Sequence, residues 1–224
     1  MDNLPTKTAY LGSAATDYDL CRFSTPQGKY FDRIEYRELR RTLSRLQPSS
    51  KILEVGCGTG RFAARVAKAG HVVLGIDPSP DMVSESRRRC AAFQNAEFKV
   101  EEGAALSLAD NVFHLTYSIR VTNQVESADY AMRMILEMIR VTRPGGYILI
   151  EFMNADRPKW LKRERKDVRL RHDEVCDLAM NEKCLLLAHR GILMGGEWVL
   201  KRTPAWLLPV WYAIETIAGR FLWR

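Results

Sequence analysis

Residues 52–60 constrain this chain more tightly than any other stretch. Ile52, Leu53 and Val55 make a short aliphatic run that reads as a buried strand, and the run breaks into glycines at 56, 58 and 60. Arg61 to Ala67 then follows with helical spacing and strong helix formers. A strand, a glycine turn and a helix in that order bring backbone N–H groups and a helix N-terminus to the carboxyl end of a strand, where a ligand can lie against them. Glycine is required because the ligand meets bare backbone and the chain must take φ values closed to other residues.

Two ligand families compete for such a turn. A dinucleotide fold wants G-x-G-x-x-G, with the last glycine letting helix and strand pack closely. That frame gives Gly56, Gly58 and then Arg61, a long side chain in the third position. The glycines instead alternate as Glu54-x-Gly56-x-Gly58-x-Gly60, which resembles the first motif of the class I S-adenosylmethionine-dependent methyltransferases. Val72 to Asp77 reads as a second strand ending in a carboxylate, whose acceptor-only oxygens suit the two hydroxyls of a ribose. An acid there is shared with dinucleotide folds. The run Gly75-Ile76-Asp77-x-Ser79-x-x-Met82 is closer to methyltransferases of the ubiquinone/menaquinone-biosynthesis type.

The resemblance implies S-adenosyl-L-methionine as cofactor. It implies contacts from Glu54, Gly56, Cys57, Gly58, Thr59, Gly60, Asp77, Pro78, Met82, Glu102, Gly103 and Ser118. Glu102 stands where an Asp of the family accepts from the adenine amino group, and its loop departs from the family pattern at Glu101, Ser107 and His114. Arg140 to Gly146 is similar to the family's R-V-L-K-P-G-G turn: Pro144 presets φ and the glycines permit a reversal into a strand at 147–152.

The fold expected is α/β, a Rossmann-like, doubly wound, mostly parallel sheet of seven strands. The resemblance implies an antiparallel hairpin closing it, read here as a strand at 185–193, a turn at Gly195-Gly196 and a partner at 197–202. Three parts make one domain: residues 1–48 as an N-terminal helical lid, 49–203 as the core with a basic insertion at 155–172, and 204–224 as an apolar, aromatic C-terminal helix. Helices are expected at 80–92, with Ser79 as N-cap, at 127–141 and at 173–181. Leu39, Leu43 and Leu46 share one face of a helix in the lid. Tyr18 and Arg22 belong to a segment that looks like the lid of small-molecule methyltransferases, and a plain helical cap stays open as the alternative. The fourth strand, 112–119, ends in a polar cluster at the position where open α/β sheets bind ligands. Arg120, Asn123 and Gln124 are therefore the substrate-facing candidates, with Asn154 after the next strand.

At 224 residues the chain fits a single domain, and 46% hydrophobic with 27% charged residues is the composition of a soluble globular protein. Five scattered cysteines show no C-x-x-C spacing, so neither a disulfide framework nor a metal is expected. No leader pattern opens the chain, and the reading is a cytoplasmic protein. A net charge of +7 invites anionic partners without requiring them. The basic run 157–171 can meet phosphates of nucleic acid or lipid, or be a solvated helix. Trp206, Trp211, Tyr212 and Trp223 suit an interface between apolar and wet surroundings, so the tail can pack on its own domain, form a homodimer or touch a membrane peripherally.

Methyl transfer from a sulfonium is an in-line displacement, and a base is needed only where the acceptor must lose a proton. No Asn-Pro-Pro-Tyr or Pro-Cys motif occurs, which counts against amino-group methylation of adenine, cytosine or glutamine and against C5-cytosine chemistry. His71, His114, His172 and His189 read as structural or exposed, so the catalytic residues are unknown. The reading is O- or C-methylation of a small or lipophilic metabolite. An RNA methyltransferase using 157–171, and a non-catalytic cofactor-binding scaffold acting through its C-terminal helix, stay open.

Overall fold

The computed structural model describes residues 17–156, 167–191 and 202–218. Its centre is a sheet of five parallel strands, β1 (Lys51–Val55), β2 (Val72–Asp77), β3 (Ala96–Val100), β4 (Phe113–Ser118) and β5 (Thr142–Ile150), in the order β3-β2-β1-β4-β5. Three of the four crossovers carry a helix where the sequence has helical period, α3 (Arg61–Lys68), α4 (Pro80–Arg89) and α5 (Ala128–Val141), while β3 passes to β4 without one. Before them run α1 (Tyr18–Phe23) and α2 (Pro26–Leu43), and after them α6 (His172–Asn181), a short 3₁₀ turn at Ala205–Leu207, and α7 (Leu208–Ala218). Strand order reverses between β1 and β4, so the sheet opens a crevice at the carboxyl ends of those two strands.

The central strands β1, β2 and β4 are largely buried, as parallel strands between helical layers must be, while the edge strands β3 and β5 are more open. Ile52, Leu115 and Tyr117 pack with Leu39 and Leu43 of α2 and with Phe62 and Val66 of α3. Leu53, Val55 and Ile76 pack with Met134, Met138 and Val141 of α5 on the other side. Helix starts follow the caps the sequence offers. Ser79 Oγ accepts from Met82 N at 3.3 Å, Ser127 Oγ from Tyr130 N at 3.1 Å, and Thr25 Oγ1 from Gly28 N at 3.0 Å. Arg143 to Gly146 loops out of the β4–β5 ladder, since Phe113 pairs with Thr142 and Leu115 already with Tyr147. The expected Pro-Gly-Gly reversal is thus a wide bulge within β5.

Seven strands and the hairpin are not what the described residues contain. Residues 185–191 carry no strand, and Leu185, Leu186 and Leu187 are 85%, 61% and 61% exposed. Three consecutive leucines lack the alternation that gives a strand one wet and one dry face, so the run fixes no register. Beyond β5 the chain instead makes a parallel bridge between Asn154 and Leu170, with Ala155 N donating to Leu170 O at 2.9 Å. Residues 192–200, most of the expected hairpin partner, fall outside the described residues. So do most of the basic run 157–171 and Trp223. Leu46 lies beyond the end of α2 and packs from a turn rather than from the helix.

Candidate functional site

A cavity opens at the carboxyl ends of β1, β2 and β4, lined on one side by Glu54 to Thr59, Asp77, Pro78, Met82, Glu102 and Gly103. The turn after β1 builds this wall. Gly56 sits at φ +77°, and a Cβ there would come within 2.3 Å of Val121 Cγ2, so only glycine lets the β1 and β4 loops meet. Gly58, at φ +52°, would put a Cβ into open space, which leaves its bare backbone facing the cavity. Asp77 closes the turn from β2. Its Oδ2 accepts from Gly58 N and its Oδ1 from Ser79 N, each at 2.9 Å. Burial pushes its pKa up while those two N–H donors pull it down, and Glu102 adds a smaller upward push.

Glu54 is the least satisfied group in this wall. Its side chain is buried, and Oε2 has no hydrogen-bond partner among the described residues. Burial drives its carboxyl up to about 8, against downward pulls from Tyr117, Arg61 and the Ala63 backbone. A buried acceptor without a donor is expensive, so a ligand group that brings a positive charge or an N–H would relieve it.

The opposite wall is built from side chains. Glu35 of α2 is fully buried, and its two oxygens accept from Arg61 Nη2 and Arg120 Nη1, both at 2.8 Å. Arg61 also pairs with Asp32 and lies over the rings of Phe23 and Phe62. Arg120 takes φ +62°, a left-handed conformation that costs a non-glycine residue of order 1 kcal/mol or more. It is held there by Glu35 and by the Gln124 side-chain amide, which donates to Arg120 O. Behind it Glu151 is half-buried with its Oε2 atom buried and unpartnered, and burial with the Glu35 charge raises its carboxyl while Arg120 and Arg61 pull the other way.

The lid segment crosses between the walls. Tyr18 of α1 lines the cavity, and Arg22 lies 5.6 Å over its ring. Asp19 accepts from Thr59 Oγ1 at 3.0 Å and pairs with Arg89 of α4, while Arg61 lies over the ring of Phe23, so α1 touches both walls.

Of the expected site residues, Glu54, Gly56, Cys57, Gly58, Thr59, Asp77, Pro78, Met82, Glu102 and Gly103 line the cavity, as do Tyr18, Arg120 and Gln124. Others stand elsewhere. Ser118 is fully buried and donates to Val55 O at 3.0 Å, stapling β4 to β1. Gly60 caps α3, where a Cβ would come within 3.0 Å of the Ser86 backbone. Asn123 offers its carbonyl to Val168 N, and Asn154 Oδ1 accepts from Asp156 N at 2.8 Å. Glu102 accepts from Tyr130 Oη at 2.7 Å, so Tyr130 joins it at the cavity. Sequence reasoning missed Glu35, Arg61, Tyr130 and Glu151. Glu35 alone left a trace: it stands in the i, i+4, i+8 stripe with Leu39 and Leu43, where an apolar residue belongs.

Residues 52–146 match the family model described as "Methyltransferase domain". The chain is 27% identical over 184 residues to a 2-methyl-6-phytyl-1,4-hydroquinone methyltransferase of Synechocystis sp., covering 77% of this chain and 57% of that protein. It is 34% identical over 125 residues to a ubiquinone/menaquinone biosynthesis C-methyltransferase of Hydrogenovibrio crunogenus, covering 52% and 47%. The chain thus spans about half the length of these curated relatives. A similar fold is that of magnesium protoporphyrin IX methyltransferase from Synechocystis PCC 6803 with bound SAH. The TM-score is 0.64 at 14% identity, covering 79% of this chain and 86% of that one.

Proposed function

We propose that the chain, whose residues 52–146 match a methyltransferase domain and which is similar to methyltransferases of the ubiquinone/menaquinone-biosynthesis type, uses S-adenosyl-L-methionine to methylate O or C of a small lipophilic acceptor. The observation that carries this is the unpartnered, buried Glu54 Oε2 beside the open backbone of Gly58. The residues present fit the cofactor: Glu54 would hold its ammonium, the Gly56–Gly58 backbone its amino-acid portion, and Asp77 the ribose hydroxyls. Glu102 and Gly103 would border the adenine. Bound there, S-adenosyl-L-methionine supplies an activated methyl group for in-line displacement.

The chain's own part is to bind, orient and exclude water. Val55, Phe62, Ile119, Val121, Val125 and Met134 line the cavity and suit an apolar acceptor. Arg120 and Gln124 place polar groups among them, fit for an oxygen on that acceptor. An oxygenated ring with an apolar chain suits this mixture, and the two curated relatives act on quinone-type molecules by name.

The test is calorimetric titration with S-adenosylmethionine and S-adenosylhomocysteine on the native chain and on Asp77→Ala, followed by labelled methyl transfer to alkylated hydroquinones. Micromolar binding lost in the variant, with label in the quinol, is the expected result. A folded native chain that binds neither compound sinks the reading.

A further inference from the structure

We propose that the outer face of α7, together with an exposed basic stripe on α2, docks this protein onto an anionic lipid surface. This goes beyond methyl transfer and does not depend on it.

Helix α7 carries apolar residues on both sides, with Glu215 its only charged residue. Leu208 is buried against Tyr30, Phe31 and Ile34 of α2, with Trp211 and Tyr212 packed beside it. On the opposite side Val210 and Ile214, four residues apart, are 55% and 46% exposed, and Trp206 in the 3₁₀ turn before the helix is 75% exposed. A helix with apolar residues on two opposite faces normally has a second apolar neighbour, and a contiguous patch of this kind marks an interaction surface. No helix among the described residues is long and apolar enough to cross a membrane, so an apolar helix here would lie in the interface plane.

Charge selects the occupant. Every acid on α2 is engaged: Asp32 by Arg61 and Arg65, Glu35 by Arg61 and Arg120, Glu38 by Arg37, Arg41 and Arg190. Lys29, Arg33 and Arg40 are exposed, have no acid partner among the described residues, and fall at i, i+4 and i+11 on one line of the helix. Arg33 lies 4.5 Å over the Tyr212 ring, which puts this stripe beside α7. A second copy of the chain on a two-fold axis through this face would bring the stripe close to its own like charges. An anionic bilayer takes the apolar face and the stripe together: headgroups meet the lysine and arginines while Trp206 enters the interfacial layer.

The experiment is sedimentation of the full chain with vesicles of mixed phosphatidylcholine and phosphatidylglycerol, and with phosphatidylcholine alone. It is repeated on V210E/I214E and on K29Q/R40Q, with thermal melting and S-adenosylhomocysteine binding as controls for folding. Expected is binding to the mixed vesicles that weakens on phosphatidylcholine alone and at high salt, and falls about tenfold or more in V210E/I214E. K29Q/R40Q should bind less, with a shallower salt dependence. Three results would overturn the proposal: no vesicle binding by the native chain, whether monomeric or dimeric; binding unchanged in V210E/I214E; or equal binding to neutral vesicles.

Discussion

The two walls of the cavity are made by different means. On the side proposed to hold the cofactor, position is set by backbone: Gly56 and Gly58 hold left-handed φ values, and Asp77 bonds two N–H groups, one of them its near neighbour Ser79. On the acceptor side, position is set by Glu35, Arg61 and Arg120, which come from α2, the start of α3 and the loop after β4 and meet through charged hydrogen bonds. A wall made of local backbone can be reused for one ligand, while a wall made of distant side chains can change with the acceptor.

The largest effect that tests this contrast is on stability. Glu35→Ala strips the buried Arg61 and Arg120 of their shared partner and should cost about 3–5 kcal/mol by urea unfolding. Asp77→Ala should cost far less in the same assay while abolishing cofactor binding. Equal losses in both variants would erase the distinction between the walls. Next comes Gly56→Ala, which meets Val121 and adds strain at positive φ. A loss of about 1–3 kcal/mol is expected, together with weakened S-adenosylhomocysteine binding by calorimetry.

This division also explains what could be read from the sequence. The cofactor wall was legible because residue type and spacing are its geometry: Glu54, Gly56, Gly58 and Asp77 needed no tertiary information. The same holds for β1 to β4 and for the Ser79 and Ser127 caps. The acceptor wall was legible only at Arg120 and Gln124, which lie at a strand end. Nothing local says that Glu35, 85 positions from Arg120 in sequence, ends up beside it. Ser118 and Asn123 failed for the complementary reason, since a polar residue near a ligand-binding strand end can equally be used to satisfy backbone. The seven-strand expectation came from the family resemblance rather than from alternation in Leu185–Leu187, and that run carries no strand.

A pH experiment sharpens the cofactor wall. With Glu54 near 8 in the free fold, its carboxyl is protonated at pH 7, whereas an ammonium placed against it favours the ionised form. Binding S-adenosylmethionine at pH 7 should therefore release close to one proton, seen as buffer-dependent enthalpy, and Glu54→Gln should release none. The sign for the free protein is the reverse of the usual carboxylate. The folded state holds protons at Glu54 and Glu151 that the unfolded chain gives up at about pH 4, so stability present below that range is lost as pH rises towards 8. Ligand should restore part of the Glu54 share. A melting temperature that climbs steadily from pH 5 to 8 without ligand would contradict the assignment of both groups.

The smallest effect belongs to α1, which spans the two walls. Asp19 ties it to Thr59 in the glycine turn and to Arg89 on α4, and Tyr18 beside it reaches the cavity. Both ties lie near the surface, so Asp19→Asn should shift stability by no more than about 1 kcal/mol. Its kinetic consequence should exceed its thermodynamic one. If α1 covers bound cofactor, weakening its ties opens the cover more often, and S-adenosylhomocysteine should leave several-fold faster in stopped-flow displacement with its association rate little changed. If α1 is only a cap on the sheet, both rates stay as they were, and the cofactor wall works without help from the lid.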